Sequence, residues 1–315
     1  MNRHIEAFIL AIGLAIAPVA LLAPTAALGA QASAIVDTGY VADASKRGAI
    51  VWDTRSAAAY KEGHIPGAVN IGDVGQVLRD ENREDYINPY VYFALLTLQY
   101  FNAPNAKVYH GGIDDWKAAG QPVATEPSKL AAVALKLQLR PELLVDTTEV
   151  LRKMRDPKVQ IVDARTPEEY RGEDIRALRG GHIPGALPIH YMENWVDPDT
   201  PAKLEKKLVA NKDGMNLKPR EQLKALYSKL DPDKETIVYC QSGVRASETA
   251  TVLQDIGFKN VRVYDSSWIG YGNTLEAPAE DVTFFSVGNM QAKMNAMQKR
   301  LDALEKELAA TKAAK

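Results

Sequence analysis

At 315 residues the chain is long enough for two domains of ordinary size, and its 46% hydrophobic and 25% charged content is that of a soluble globular protein. A formal net charge of −2 leaves no electrostatic footprint for nucleic acid. One cysteine excludes an internal disulfide framework and a cysteine-based zinc site, and the five histidines lack metal-ligand spacing, so no metal is expected.

Residues 1–34 read as a secretory signal. Arg3 and His4 form a modest n-region, Ala7 to Leu22 is an apolar core broken by Pro18, and small residues allow cleavage near Ala32 or Ala34. The apolar run is short for a membrane span and Pro18 interrupts it, which favours cleavage over an uncleaved anchor. The expectation is a periplasmic or secreted protein with no stable membrane insertion after cleavage. An unpaired cysteine is unusual in such an oxidising compartment, so it is expected to be kept for reactivity.

After residue 34 the chain repeats itself. Ile35-Val36-Asp37-Thr38 returns as Leu144-Val145-Asp146-Thr147, and Val51-Trp52-Asp53-Thr54-Arg55 as Ile161-Val162-Asp163-Ala164-Arg165. Tyr60 matches Tyr170, and Gly63-His64-Ile65-Pro66-Gly67-Ala68 returns as Gly181-His182-Ile183-Pro184-Gly185-Ala186. Short apolar strands alternate with helical stretches in both copies, which predicts tandem α/β domains, each a mainly parallel sheet flanked by helices. The predicted division is a first copy at 35–127, a linker at 128–142, a second copy at 143–280 and a C-terminal coil at 286–315.

The first copy reads as decayed. Asp85 falls where the second copy has Cys240, Tyr90 falls where it has Arg245, and the stretch before Asp85, Glu81 to Glu84, has no strand character. A helix from Pro89 to Phe101 survives, suited to packing against the second copy and walling one side of a cleft. In the linker, Leu135 to Arg140 alternates as a strand or as an amphipathic surface stretch.

In the second copy the apolar strand Thr236 to Tyr239 runs into Cys240-Gln241-Ser242-Gly243-Val244-Arg245, and a helical pattern follows from Ala246 to Ile256. Backbone N–H groups at such a strand-to-helix turn point into one small bowl, and the helix adds partial positive charge. Gly243 permits the tight path and Arg245 adds a cation. Each feature favours a thiolate over a thiol at Cys240, whereas a strand-end cysteine acting as a small hydrophobe needs neither the glycine nor the arginine. Asp163, Arg165 and His182 are expected to support the structure, because their counterparts persist in the copy that lacks a cysteine. Residues 171–180 are an insertion absent from the first copy, with Arg171, Arg176 and Arg179, either a solvated loop or a cationic rim for an anionic substrate. Trp268 reads either as an apolar wall of the cleft or as a core residue.

At the C-terminus Val287, Met290, Met294, Met297, Leu301, Leu304 and Leu308 recur in steps of three and four, a heptad seam. It suits a homo-oligomer through residues 287–308, with Arg300 and Glu305 at g and e positions of a parallel pairing, or a helix docked on its own domain.

The tandem arrangement, the two Gly-His-Ile-Pro-Gly-Ala segments, the Asp-x-Arg strands and Cys-Gln-Ser-Gly-Val-Arg together resemble the rhodanese family over residues 35–280, specifically the two-domain thiosulfate and 3-mercaptopyruvate sulfurtransferases. The resemblance implies an inert first copy and a catalytic second copy. It also implies a Cys240 persulfide that moves sulfane sulfur from a small anionic donor, with thiosulfate first, to a thiol or to cyanide, without a cofactor. Gln241, Ser242, Gly243, Val244 and Arg245 fall at the family's loop positions. Four residues between Cys240 and Arg245, where related phosphatases and arsenate reductases have five, imply a bowl sized for one sulfur atom. The family often places a substrate-binding arginine before the repeat tyrosine; here Glu169 precedes Tyr170, and Arg171 is the candidate replacement. A persulfide carrier or scaffold in a periplasmic sulfur-metabolism complex is the reading of another class.

Overall fold

The computed structural model of the chain describes residues 33–72, 90–103, 105–128 and 138–313. Most of the expected signal, Asp85 with the stretch before it, Pro89 and residues 135–137 of the connector lie outside these. In the first copy, β1 (Ile35–Val36) pairs with β4 (Val108–Tyr109) and β2 (Trp52–Asp53) with β3 (Val69–Asn70), both in parallel. In the second, β5 (Leu144–Val145), β6 (Val159–Asp163), β7 (Leu187–Pro188), β8 (Glu235–Tyr239) and β9 (Asn260–Tyr264) form one parallel sheet in the order β5-β9-β8-β6-β7. The pair β1–β4 answers β5–β9, and β2–β3 answers β6–β7. What joins the two pairs in the second copy is β8, and its counterpart falls among residues outside the described ones. At 138–140 the connector is not a strand; the copy opens with a 3-10 turn at Pro141–Leu143 and then β5.

The repeated motifs form the same lock in both copies. The helix Thr38–Lys46 is capped by Asp37, which accepts from Tyr40 N at 2.8 Å, and Thr147–Lys153 by Asp146, which accepts from Glu149 N at 2.7 Å. Arg55 forks onto Asp53 and donates to Gly63 O at 2.8 Å; Arg165 forks onto Asp163 and donates to Gly181 O at 2.7 Å. The His64 ring lies 3.7 Å from Tyr60 and hydrogen-bonds its carbonyl through Nδ1 at 2.8 Å, and His182 does the same to Tyr170 at 3.7 Å and 3.0 Å. Because a carbonyl only accepts, Nδ1 carries the proton in both rings. The lock is complete where there is no cysteine, so it belongs to the scaffold.

In the second copy β6 and β8 are buried on both faces, as parallel strands under helices must be. Ile161, Ile237 and Tyr239 face one core with Val145, Tyr264 and Trp268. Val162, Val238 and then Cys240 face the other, against Ala246, Ala250 and Leu253 of the helix Val244–Ile256. Cys240 thus continues the two-residue alternation of β8 onto the helix side of the sheet.

The first copy packs against that same helix through its own helix Tyr90–Tyr100, whose Leu96 enters the second copy's core. His110 bridges the copies, with Nε2 donating to Met215 O at 2.9 Å and Nδ1 accepting from Tyr92 Oη at 2.8 Å. Burial lowers the pKa of His110, which keeps this two-sided neutral arrangement.

After β9 the chain runs through the helix Ser267–Asn273 to a strap at 280–285, then into the helix Val287–Ala313. The strap is bound to the insertion. Glu280 and His182 exchange backbone hydrogen bonds at 3.0 Å, Gly180 N donates to Thr283 O at 2.7 Å, and Phe285 N to Leu178 O at 3.3 Å. Among the described residues no helix is long and apolar enough to cross a membrane.

Candidate active site

Cys240 leaves β8 where the sheet ends and the helix Val244–Ile256 begins, and it is 1% exposed. Gly243 occupies the N-cap with φ +84, the left-handed region that glycine enters without penalty, so the turn depends on this residue. The loop is pinned from the side of the helix Ser267–Asn273. Trp268 N donates to Cys240 O at 2.9 Å, and Ile269 N to Gln241 O at 3.0 Å. In a trans peptide the N–H points opposite to the C=O, so the amides of Gln241 and Ser242 are directed away from that helix.

Ser267 completes the clamp. Its Oγ accepts from Cys240 N at 3.1 Å and Gly243 N at 2.9 Å, and donates to Tyr264 O at 2.7 Å. Two of the loop amides expected to line the bowl therefore face this hydroxyl. Ser267 holds φ +48, a region a non-glycine residue rarely occupies. Ser267→Ala keeps that backbone cost and removes the acceptor of two buried amides together with the donor to Tyr264 O. A loss of about 1–3 kcal/mol in denaturant unfolding is expected, together with lower turnover from a loosened loop.

Arg245 is not an unpaired cation. Its Nη1 donates to Glu169 Oε2 at 2.6 Å and its Nη2 to Glu169 Oε1 at 2.8 Å, a buried fork. Glu169 also accepts from Thr166 N at 3.0 Å, within a capping box, and from Arg176 Nη1 at 3.2 Å. Burial alone would raise the pKa of Glu169, but the Arg245 guanidinium and these donors hold it at about 2. Arg245 therefore fixes the loop helix to the segment around Tyr170, the second of the two duties open to it, holding the loop rather than meeting the donor. His190 is pushed down to about 4 by burial and then by Arg245, so it is uncharged at neutral pH.

Of the two readings of residues 171–180, an open cationic rim is not what the contacts of the arginines form. Arg171 pairs with Glu173 at 2.8 Å and Glu168 at 3.4 Å on the surface. Arg176 faces Glu169, and its carbonyl accepts from Gln241 Nε2 at 2.7 Å. Arg179 is buried, donating to Thr274 O at 3.0 Å and Ala277 O at 2.6 Å. Each of the three is answered by a carboxylate or by carbonyls. Trp268 is a core residue and not a cleft wall. It is buried, its Nε1 donates to Arg179 O at 2.9 Å, and Arg165 lies 4.5 Å over its ring. Asp163 accepts from Arg165 N at 2.9 Å and from Tyr239 Oη at 2.5 Å, and His182 Nε2 meets Glu280 at 3.1 Å. All three support the frame beneath the loop.

Beside the loop an open cleft of about 590 Å³ is lined by Ser242, by Asp265, Ser266, Ile269 and Gly270 from the far side, and by Phe93 and Thr97 of the first copy. Phe93 and Thr97 of the first copy thus form one wall of this cleft. Sequence reasoning passed over Glu169 as a partner and Ser267 as a clamp. The capping box Thr166-Pro167-Glu168-Glu169 was a readable signal for the first, and nothing local marks the second.

A thiol presented on a strand-to-helix turn of a doubled parallel α/β domain, pinned by backbone and hydroxyl contacts, defines a cysteine-based transfer enzyme. The chain belongs to the rhodanese family: the model described as "Rhodanese-like domain" matches residues 37–92 and 146–274. It is 30% identical over 272 residues to the thiosulfate sulfurtransferase of Corynebacterium glutamicum, covering 73% of this chain and 84% of that one. It is 31% identical over 209 residues to the sulfur carrier protein TtuD of Thermus thermophilus, covering 62% and 68%. The anaerobic ergothioneine biosynthesis enzyme from Chlorobium limicola, solved with trimethyl histidine, shares the fold at a TM-score of 0.64 and 20% identity, over 79% of this chain and 70% of that one. The chain is a sulfurtransferase of the rhodanese type.

Proposed function

We propose that Cys240 takes sulfane sulfur from thiosulfate and hands it to a thiol, or to cyanide in the assay. The thiolate attacks the outer sulfur, the S–S bond of thiosulfate breaks, sulfite leaves with the electron pair, and an enzyme persulfide anion remains. The observation that carries this reading is the peptide geometry at Cys240. With the Cys240 and Gln241 carbonyls turned to the helix Ser267–Asn273, the following peptide N–H groups point to the opposite side of the loop, and the helix Val244–Ile256 begins three residues on with its partial positive end at the turn. The names of relatives support thiosulfate over 3-mercaptopyruvate as donor. The apolar segment ahead of residue 34 supports an exported enzyme working in the periplasm or outside the cell.

Intact mass after mixing with thiosulfate tests the reading. The expected result is a gain of one sulfur atom that disappears on adding cyanide or thiol and never forms in Cys240→Ser. A gain from mercaptopyruvate but none from thiosulfate would reassign the donor. A non-turnover carrier in a sulfur-metabolism complex is the second reading, favoured by the likeness to TtuD. It predicts stoichiometric loading with negligible thiocyanate production.

A further inference from the structure

We propose that the chain pairs with a second copy of itself through a parallel two-chain coil of the helix Val287–Ala313, seated on an apolar collar that the second domain's insertion holds at the root of the helix. The seam of this helix is uncovered. Met290, Met294, Met297, Leu301, Leu304 and Leu308 are 41% to 71% exposed, so the helix does not bury them on its own domain. A row of large apolar side chains at a and d spacing is stable in water when a like row closes over it.

The row does not stand alone. Leu178, Leu275, Phe284 and Phe285 are also exposed, Phe284 by 65% and Leu178 by 55%. They are held side by side: Phe285 N donates to Leu178 O, Arg179 and Phe284 form an antiparallel bridge, and Arg179 Nη1 reaches Leu275 O at 3.5 Å. The collar runs straight into the first turn of the helix. Leu178 belongs to the insertion at 171–180 that the first copy lacks, and so does Gly172, where a Cβ would stand 2.5 Å from Asp281 O of the strap. The insertion is thus shaped to carry the strap that launches the helix.

Direction follows from two independent features. The helix of 27 residues is about 40 Å long, so an antiparallel pair would leave the two collars a coil's length apart, whereas a parallel pair brings them together. Charge agrees. With Met294, Leu301 and Leu308 at a, Arg300 and Glu307 fall at g and Glu305 and Lys312 at e. A parallel pair sets Arg300 against the partner's Glu305 on both sides of the coil. The full-length antiparallel overlap of the seam sets Arg300 against its own copy.

The test uses the full chain, with sedimentation equilibrium for mass and with circular dichroism and thiocyanate production to show that each variant is folded. Wild type is expected at twice the chain mass, and Leu301→Glu with Leu304→Glu at the chain mass with turnover retained. Arg300→Glu is expected to weaken pairing about tenfold, and adding Glu305→Arg to restore it. Leu308→Cys in a Cys240→Ser background is expected to cross-link to itself on oxidation, since position 308 meets its own copy only in a parallel coil. A wild-type monomer, a mass above two copies, a dimer that survives the two glutamates, or failure of the charge swap or the cross-link each overturns the proposal.

Discussion

Cys240→Ser is expected to abolish sulfur transfer while leaving the fold standing. A serine hydroxyl forms no persulfide, so thiocyanate production should fall below roughly a thousandth of wild type, the residue of binding alone. The thiol is buried at the end of β8, and a hydroxyl there loses water without a new partner of its own, which costs about 1–3 kcal/mol. For a chain of this size that is a melting shift of several degrees at most. Turnover, intact mass and thermal melting on one preparation check the three statements together. Residual turnover near the wild-type level would remove Cys240 from the chemistry altogether. The frame argues that the lesion stays local, since the first copy builds the same Asp-Arg-His-Tyr lock without a cysteine.

The second large effect is on stability. Arg245→Met leaves the Glu169 carboxylate, which is 0% exposed, with only Thr166 N and Arg176 to answer it. Breaking one side of such a pair is expected to cost about 3–5 kcal/mol in urea unfolding, and Glu169→Leu alone a comparable amount. The double replacement should recover most of the loss, because two apolar side chains strand no charge. Had Arg245 served the donor directly, its removal would instead raise KM for thiosulfate with little change in unfolding. The pH dependence has a definite sign. Glu169 falls from an ordinary 4.5 to about 2 on folding, so its contribution is fully present above pH 4.5 and is lost as pH drops through about 2. The stability difference between wild type and the double variant should be flat above pH 4.5, and wild type should lose ground to the double variant, which has no carboxylate there, as pH falls through that window.

Local pattern made the reactive loop legible, because β8 is a short continuous apolar run, Gly243 marks a left-handed turn and a helical pattern follows it. Duplicated motifs made the tandem fold legible for the same reason: each lock closes within about 20 residues of chain, Arg165 to Gly181 for example. What sequence left open was which groups meet across long separations. Arg245 and Glu169 lie 76 positions apart, and Ser267 reaches Cys240 across 27. Charges were visible on the insertion, but their partners were not, so solvated loop and cationic rim stood as equal readings of arginines that are in fact paired or backbone-bound. Trp268 stayed open between cleft wall and core for a related reason. An indole near a strand end carries no period of its own, and only the Arg165 guanidinium above it and the Arg179 carbonyl beside it decide that it faces inward.

The Glu169–Arg245 fork has a bearing on how this enzyme can diverge. Two opposite charges on distant segments, each sealed from solvent, must be exchanged together or not at all, since either single step strands an ion. The last loop position is therefore not a dial that selection can turn freely to retune substrate preference. A lineage that abandons one member has to cross an unstable intermediate or acquire a compensating change first.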